Sequence, residues 1–149
     1  MATICIFSLG LLYANFMEWF VHKFLFHGLG KKQNSLFAFH LREHHIQARN
    51  NQFLDTKLTK RETIGICALL ILHAPLYLYI SSIFYAALVF YGALFVFLHK
   101  VQHIFPKFAK RYFWWHWNHH MHNQNKSWNV VLPVTDLITG TLEARHNED

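Results

Sequence analysis

The chain has few charged residues for its length. Charged residues make up 15% of its 149 residues, whereas hydrophobic residues make up 53% and aromatic residues 17%. A soluble domain of this size has too little interior to bury so much apolar surface. The composition therefore argues against an ordinary soluble protein and indicates a membrane protein, and the length predicts a single domain over residues 1–149.

Cysteine and acidic residues are also scarce. The two cysteines, Cys5 and Cys67, lie in apolar segments without a CxxC partner, which argues against a disulfide framework or a thiolate metal site. There are 8 acidic residues against 14 basic ones, and the net charge is +6. Because the basic residues lie beside apolar runs rather than on a separate basic face, we do not expect nucleic acid as a partner.

Long hydrophobic runs are present and predict three transmembrane helices. Basic residues follow the first run rather than precede it, so we expect a retained span and not a signal peptide. The run from Ile64 to Leu98 has no charge and is too long for one span of roughly 20 residues, but it fits two. We place the turn at Ser81 and Ser82 and a helix kink at Pro75. The predicted spans are approximately residues 3–21, 63–80 and 82–98.

The basic residues support this topology. Three spans place residues 21–62 and everything after Leu98 on one side, and all 14 Lys and Arg, including Lys57, lie there. The positive-inside rule makes that side cytoplasmic. Every histidine except His73 lies on it too. We therefore expect an all-α membrane protein with a helical cap on the cytoplasmic face, in a bacterial inner membrane rather than the endoplasmic reticulum.

The histidines form four short boxes. Residues three or four apart share one face of an α-helix, so the sequence predicts that His40 and His44 share a face and that box four presents a single face. Neutral imidazoles bind first-row metals, and ten of them exceed what one ion can use, which favours two ions in a shared site. A flexible metal-storage tract would be contiguous instead. The boxes are HKFLFH (His22, His27), HLREHH (His40, His44, His45), HKVQH (His99, His103) and HWNHH (His116, His119, His120).

Taken together, the boxes resemble those of the fatty acid hydroxylase and sterol desaturase superfamily. The similarity extends over about residues 15–142 and includes the tail NVVLPVTDLITGT, with Pro133, Asp136, Gly140 and Thr141. Such proteins are membrane oxygenases with a histidine-bound di-iron centre, which use dioxygen and two electrons to hydroxylate or desaturate lipids. The resemblance implies that the ten box histidines bind two irons here, for which zinc can substitute during purification.

The resemblance also implies the partners. These are a lipid substrate from the bilayer, dioxygen and a separate electron donor, either ferredoxin-like or a haem protein, because 149 residues leave no room for a redox domain. A basic cytoplasmic face would suit an acidic donor.

Two departures from the family pattern affect individual residues. The second box usually reads HxxHH, whereas three residues separate His40 from His44, so His40 is the weakest ligand candidate of its box. Many relatives have histidine where this chain has Asn123, and the neighbouring His122 is either a ligand, a group hydrogen-bonded to a ligand, or a surface residue.

Two carboxylates are candidates for orienting ligands. Glu18 lies one turn before His22 and either accepts its second N–H or pairs with Lys23. Asp136 either orients a box-four histidine or caps the helix that begins near Leu137.

Three alternatives stay open at this point. A carotenoid hydroxylase of the same superfamily has similar first boxes, HKFLFHG and FHLREHH. A membrane zinc hydrolase would need only three ligands and a general base. A non-catalytic metal-binding protein or carrier would have ligands along the spans, where only His73 lies, and we expect His73 to form a hydrogen bond between helices.

Overall fold

The computed structural model describes residues 1–56 and 60–146, so Lys57 lies outside the described residues. Every regular element in the described part is helical, which confirms the all-α prediction. The α-helices are α1 (Ala2–Phe20), α2 (Ile46–Asn50), α3 (Lys60–His73), α4 (Pro75–Tyr79), α5 (Ser82–Ile104), α6 (Pro106–Tyr112), α7 (Trp114–Met121) and α8 (Val134–Thr139). The described part also contains two π-helical turns, Val21–Phe26 and His40–His45, and one 3-10 turn, Leu29–Lys31.

Three helical segments are long and apolar enough to cross a membrane, as the sequence predicts. They are Ala2–Lys31, Lys60–Tyr79 and Ser82–Ile104. The first and third extend beyond the predicted limits, because the helices continue past their apolar runs and carry box histidines on their last turns. The chain is therefore a membrane protein with three candidate spans.

The predicted turn between the second and third spans is confirmed. The helix is also interrupted at Pro75, where the kink was predicted: because proline has no backbone N–H to continue the helix, α3 ends at His73 and α4 begins at Pro75. The Ser81 hydroxyl then accepts hydrogen bonds from the backbone N–H groups of Ile83 (3.1 Å) and Phe84 (3.4 Å) and so caps α5.

The distribution of residues is the reverse of that in a soluble protein. Large apolar side chains on the spans face outward, for example Ile71 at 74% exposure and Leu78 at 76%. The box histidines, together with several Asn, Asp and Glu side chains, are buried instead. Such an apolar exterior suits hydrocarbon, where it costs nothing to expose.

Helix α1 packs closely against α5. A Cβ atom on Gly10 would lie 2.7 Å from the Ala87 Cβ and 2.8 Å from the Phe84 carbonyl oxygen, so the two backbones approach where both residues are small. Helix α3 packs against α5 but makes few close backbone contacts with α1. The three candidate spans thus leave a space between α1 and α3.

Candidate metal centre

The box histidines converge at one end of the bundle, where α1 and α5 end and α3 begins. They form two all-histidine groups, within each of which one potential ligand atom per residue lies within 4.8 Å of all the others, and a third set of His40, His44 and Glu62 meets the same criterion between them. All members are buried. The first histidine group is His22, His27, His40, His45 and His119; the second histidine group is His44, His99, His103 and His120.

The π-helical turns explain how boxes one and two contribute. A π-helix bonds residue i to i+5, so residues five apart lie one turn apart. The backbone N–H of His27 accordingly donates to the His22 carbonyl at 2.9 Å. In box two the same geometry pairs His40 with His45, whose Nε2 atoms are 3.2 Å apart. The predicted proximity of His40 to His44 also holds, since their ring centroids are 5.2 Å apart and both belong to a further set of close ligand atoms with Glu62, although His44 is otherwise a member of the second histidine group.

Box four is also divided between the groups. His119 belongs to the first histidine group and His120 to the second, because adjacent residues on α7 point in different directions. His116 lies outside both groups by atom separation, but its Nε2 is 3.0 Å from the His120 Nε2. All three rings of box four are nevertheless fully buried and lie together, with ring centroids 4.7 Å apart for His116 and His120 and 5.4 Å apart for His119 and His120.

Many of the histidine rings donate a hydrogen bond from their outer nitrogen, Nδ1, and this bond fixes the orientation of the ring. A carbonyl or carboxylate oxygen can only accept, so the Nδ1 atom facing it carries the proton and Nε2 is left with a lone pair. This applies to both groups. In each case the histidine Nδ1 donates to an oxygen atom. The pairs are His44 with Asp55 (2.9 Å), His99 with Glu62 (3.2 Å), His103 with the Phe53 carbonyl (2.7 Å), His116 with the Gln102 side chain (2.6 Å), His119 with the Lys126 carbonyl (2.7 Å) and His22 with the Trp128 carbonyl.

Nε2 lone pairs therefore point at one another inside the second histidine group. The Nε2 atoms of His44, His99 and His103 are buried and have no hydrogen-bond partner. Buried, unpaired polar atoms are costly, and several lone pairs that face each other without a proton repel. A cation between them would remove both costs, so the donor set fits a metal ion.

The spacing within the groups agrees with a single coordination shell. Nitrogen ligands about 2.0–2.1 Å from one ion are roughly 2.9–3.4 Å apart in octahedral or tetrahedral geometry. The observed Nε2–Nε2 separations are His22–His40 3.0 Å, His27–His119 3.1 Å, His27–His45 3.2 Å and His40–His45 3.2 Å. Buried histidine groups able to hold a metal ion are thus present.

Burial favours the neutral form that metal binding requires in five box histidines outside the spans. Burial lowers the pKa of His40, His45 and His116 well below the usual value of about 6.5. Burial is also the main cause of the low pKa of His119 and His120, to which repulsion from neighbouring histidines adds. At neutral pH these rings are uncharged and their lone pairs are free to bind a metal.

Glu62 connects the two groups and was not predicted as a functional residue. Its carboxylate lies 3.2 Å from the Nδ1 of His99 and 3.7 Å from the Nδ1 of His40. Its only sequence signal is that it is the last charge before the second apolar run. Two further contacts of this kind, Asp55 with His44 and Gln102 with His116, were also missed, and of these only Gln102 is marked, by its place inside box three.

Glu18 orients the carboxy-terminal loop instead of His22. It accepts hydrogen bonds from the Tyr91 hydroxyl and the backbone N–H of Val130. The His22 Nδ1 faces the carbonyl of Trp128, which belongs to that loop. Glu18 therefore supports His22 through the loop rather than by the predicted direct bond.

Asp136 performs a related task from the other side of the loop. Its carboxylate accepts from the backbone N–H groups of Trp128 (2.9 Å) and Asn129 (2.7 Å) and from the Thr141 hydroxyl (2.6 Å). It sits inside α8 rather than at its cap, so both predicted roles are replaced by anchoring of the loop whose Trp128 carbonyl meets His22.

The remaining uncertain candidates lie away from the groups. His122 is exposed and stacks on His146, with ring centroids 4.4 Å apart. The Asn123 side chain accepts from the Asn125 backbone N–H at 3.0 Å and so stabilises a turn. Neither residue is part of the histidine groups that the described residues form.

A cavity of about 350 Å³ leads from the histidine groups into the space between the spans. His22 and His40 of the first histidine group and His99 of the second border it, as does Glu62. Its volume is within the range of about 300–1,000 Å³ typical of small-molecule sites. The cavity therefore gives a ligand access to both groups at once.

The far end of the cavity lies deep between the helices. Tyr13 of α1 and His73 of α3 border it there, and their hydroxyl and Nε2 atoms are 2.9 Å apart. The predicted interhelical hydrogen bond of His73 is thus confirmed. The wall between the two ends is mainly apolar, with Met17, Leu25, Phe26, Leu69, Leu88 and Phe95 among its residues.

No family model matches the chain, and neither the curated proteins nor the solved structures include one that is significantly similar to it.

Proposed function

We propose that the chain is a membrane-bound non-haem di-iron oxygenase that hydroxylates or desaturates a lipid chain with dioxygen and two electrons. One observation carries this proposal: two buried histidine groups lie side by side and share one apolar cavity that extends between the spans. The resemblance of the four boxes to the fatty acid hydroxylase and sterol desaturase superfamily points the same way.

The histidine groups favour a pair of metals over a single one. His45 and His120, one from each group, stack with ring centroids 4.2 Å apart, so two bound ions would be neighbours. All-nitrogen, thiolate-free ligands suit iron, copper and zinc. A pair of irons, when bound, supplies the activation of dioxygen that oxidation of an unactivated C–H bond requires.

The protein itself orients the histidine ligands, encloses the metal site and positions the substrate. Hydrogen bonds to Nδ1 aim the Nε2 lone pairs inward, and Glu62 holds His99 at the cavity edge. His103 and His119 are fully buried, which excludes bulk water. The apolar wall presents a saturated segment of the substrate to the cavity end where His22, His40 and His99 lie.

The setting of the site supports a lipid substrate and an external electron donor. Because α1 and α3 make few close contacts, a chain can reach the cavity sideways from the bilayer. The excess of 14 basic over 8 acidic residues favours an acidic donor, ferredoxin-like or haem-containing. The positive-inside rule would put the site on the cytoplasmic face, in our proposal that of a bacterial inner membrane.

The proposal is tested with purified protein loaded anaerobically with ferrous iron. We expect two irons per chain, one for each histidine group, and, after addition of dioxygen, a reductant and extracted membrane lipids, products that have gained one oxygen or lost two hydrogens. Mass spectrometry identifies the product and separates an acyl or sterol substrate from a carotenoid. Folded, iron-loaded protein that leaves every lipid unoxidised would overturn the proposal, and activity that requires one zinc would indicate a hydrolase.

A variant that fills the cavity tests whether it is the substrate path. A Cβ on Gly65, which borders the cavity, would meet no atom within 4 Å, so Gly65→Phe should fit without a clash. We expect it to abolish product formation while two metals stay bound. Ile71→Phe, on the exposed face of the same helix, is the matched control and should remain active.

A further inference from the structure

The pair formed by Tyr13 and His73 is the main polar feature of the deep end of the cavity. Both residues are half-buried and border the cavity, and apart from the residues at the metal centre the other polar side chains of its wall are Glu18 and Tyr91, which are hydrogen-bonded to each other and of which Glu18 lies one turn from His22. Ionisable side chains inside a span are costly and tend to mark a binding site. The metal centre does not use this pair, because it lies at the opposite end of the cavity.

The direction of the hydrogen bonds in the pair can be assigned. The His73 Nδ1 lies 2.7 Å from the Leu69 carbonyl oxygen, which can only accept, so Nδ1 carries the proton. In the tautomer with its proton on Nδ1, Nε2 is an acceptor and receives the Tyr13 hydroxyl hydrogen at 2.9 Å. The Tyr13 oxygen consequently has its proton committed and offers only lone pairs.

Because the pair offers a hydrogen-bond acceptor but no free donor, it favours a ligand group that can donate a hydrogen bond. A carboxylate or a phosphate needs hydrogen-bond donors, and neither Tyr13 nor His73 has a spare one. A hydroxyl group can donate to the Tyr13 oxygen. An uncharged alcohol is also cheaper than an anion to place between apolar helices.

The distance from this pair to the metal centre can be estimated along the helices. At a rise of 1.5 Å per residue, Tyr13 to His22 on α1 and Glu62 to His73 on α3 span about 13–17 Å. An extended alkyl chain advances roughly 1.25 Å per C–C bond of about 1.5 Å, so about a dozen carbons bridge that distance.

We infer that Tyr13 and His73 bind the hydroxyl end of a lipid alcohol, whose chain lies along the cavity with a carbon about a dozen positions away beside the histidine groups. The inference deepens the proposed function and rests on it for the chemistry. The binding itself needs no bound metal and can be measured separately.

Equilibrium binding to the full-length protein in nanodiscs tests the inference. The probes are tritiated hexadecan-1-ol and the corresponding hexadecyl methyl ether, which keeps the oxygen but has no proton to donate. We expect the wild-type protein to bind the alcohol about three- to tenfold more tightly than the ether, the usual worth of one hydrogen bond. Tyr13→Phe should bring the two affinities to within twofold. Equal affinities in the wild-type protein, or a preference that survives in Tyr13→Phe, would overturn the inference.

A matched variant separates binding from a purely structural link. Tyr85 also donates its hydroxyl to α3, to the Leu70 carbonyl at 3.0 Å, but it does not border the cavity. Tyr85→Phe should therefore keep the preference for the alcohol. Loss of the preference in Tyr85→Phe as well would mean that the Tyr13 contact matters only for helix packing, which contradicts the inference.

The position of oxidation provides a second readout on iron-loaded protein. Hexadecan-1-ol should be oxidised about a dozen carbons from the hydroxyl, and Tyr13→Phe should spread the products over neighbouring carbons. Oxidation next to the hydroxyl would refute the inference while supporting the oxygenase. Preferential alcohol binding without any oxidation would instead refute the oxygenase and leave the binding site standing.

Discussion

The imidazoles and their hydrogen-bond partners differ in how well the sequence reveals them. Histidine is chemically distinctive, and the four boxes could be identified from spacing alone. The partners could not, because Asp55 meets His44 and Gln102 meets His116 only after segments distant in the chain have come together. Backbone carbonyls such as that of Phe53 leave no trace in the sequence at all.

Asp55→Asn tests the importance of such a partner. The change keeps the shape of the side chain but removes the charge that strengthens the bond to the His44 Nδ1. We expect the affinity of the second histidine group for metal to fall by about 10–100-fold, as is usual for partners of metal-bound histidines. A competition titration against a chelator would resolve the two ions, and the first histidine group should retain its affinity.

The control for this change is Glu43→Gln. Glu43 precedes His44 in box two but belongs to neither histidine group; its side chain forms an exposed ion pair with Arg61 at 2.7 Å, and exposed pairs contribute little. Its two metal affinities should match those of the wild-type protein. An equal loss in Glu43→Gln, or no loss in Asp55→Asn, would show that the contact between Asp55 and His44 does not tune the metal site.

Helices of the expected length form where the sequence predicts them, but two local departures from α-helical geometry were not predicted. The spans follow from long apolar runs, which few structures other than a membrane helix can accommodate. The π-helical turns Val21–Phe26 and His40–His45 do not follow from such runs. Apolar patterning does not signal them, and the five-residue spacings of His22 with His27 and of His40 with His45 become meaningful only once the backbone is known.

Gly10→Ala tests the close packing of α1 against α5. The new Cβ would lie 2.7 Å from the Ala87 Cβ and 2.8 Å from a backbone oxygen of α5, so the helices must separate. Overpacking of this kind costs typically about 1–3 kcal/mol. The free energy of unfolding in detergent should fall by that amount. Gly65→Ala, which has open space around its Cβ, should be neutral or slightly stabilising, and equal effects of the two changes would contradict the packing.

At the scale of the whole molecule, all ten box histidines and several other polar side chains are buried, while many large apolar side chains lie on the surface. Hydrophobic content and the location of the charges are enough to predict this inversion. The shared cavity and the division of the boxes between two groups depend on how three helices and the carboxy-terminal loop fit together, which composition and spacing do not specify.

The buried imidazoles predict how stability depends on pH. Burial holds the pKa of histidines such as His40, His119 and His120 below the unfolded value of about 6.5. Below about pH 6.5 the unfolded chain therefore binds protons that the folded chain excludes. The stability is fully present above that pH and is lost as the pH falls below it.

Thermal unfolding of metal-free protein between about pH 8 and pH 5 measures this effect. The midpoint should be flat above about pH 6.5 and fall below it, and metal release from loaded protein should follow the same trend. His146→Gln, which removes an exposed imidazole outside both groups, should leave the profile unchanged. A midpoint that rises on acidification would contradict the burial of neutral histidines.

Boxes two and four each supply ligands to both histidine groups, which couples the binding of the two metal ions. His44 and His45 are consecutive residues, as are His119 and His120, so the ion that occupies one group restrains the backbone that presents the ligands of the other. Occupation of the first position lowers the entropic cost of the second. The two ions should accordingly be taken up with positive cooperativity, each group binding its ion more tightly when the other group is filled.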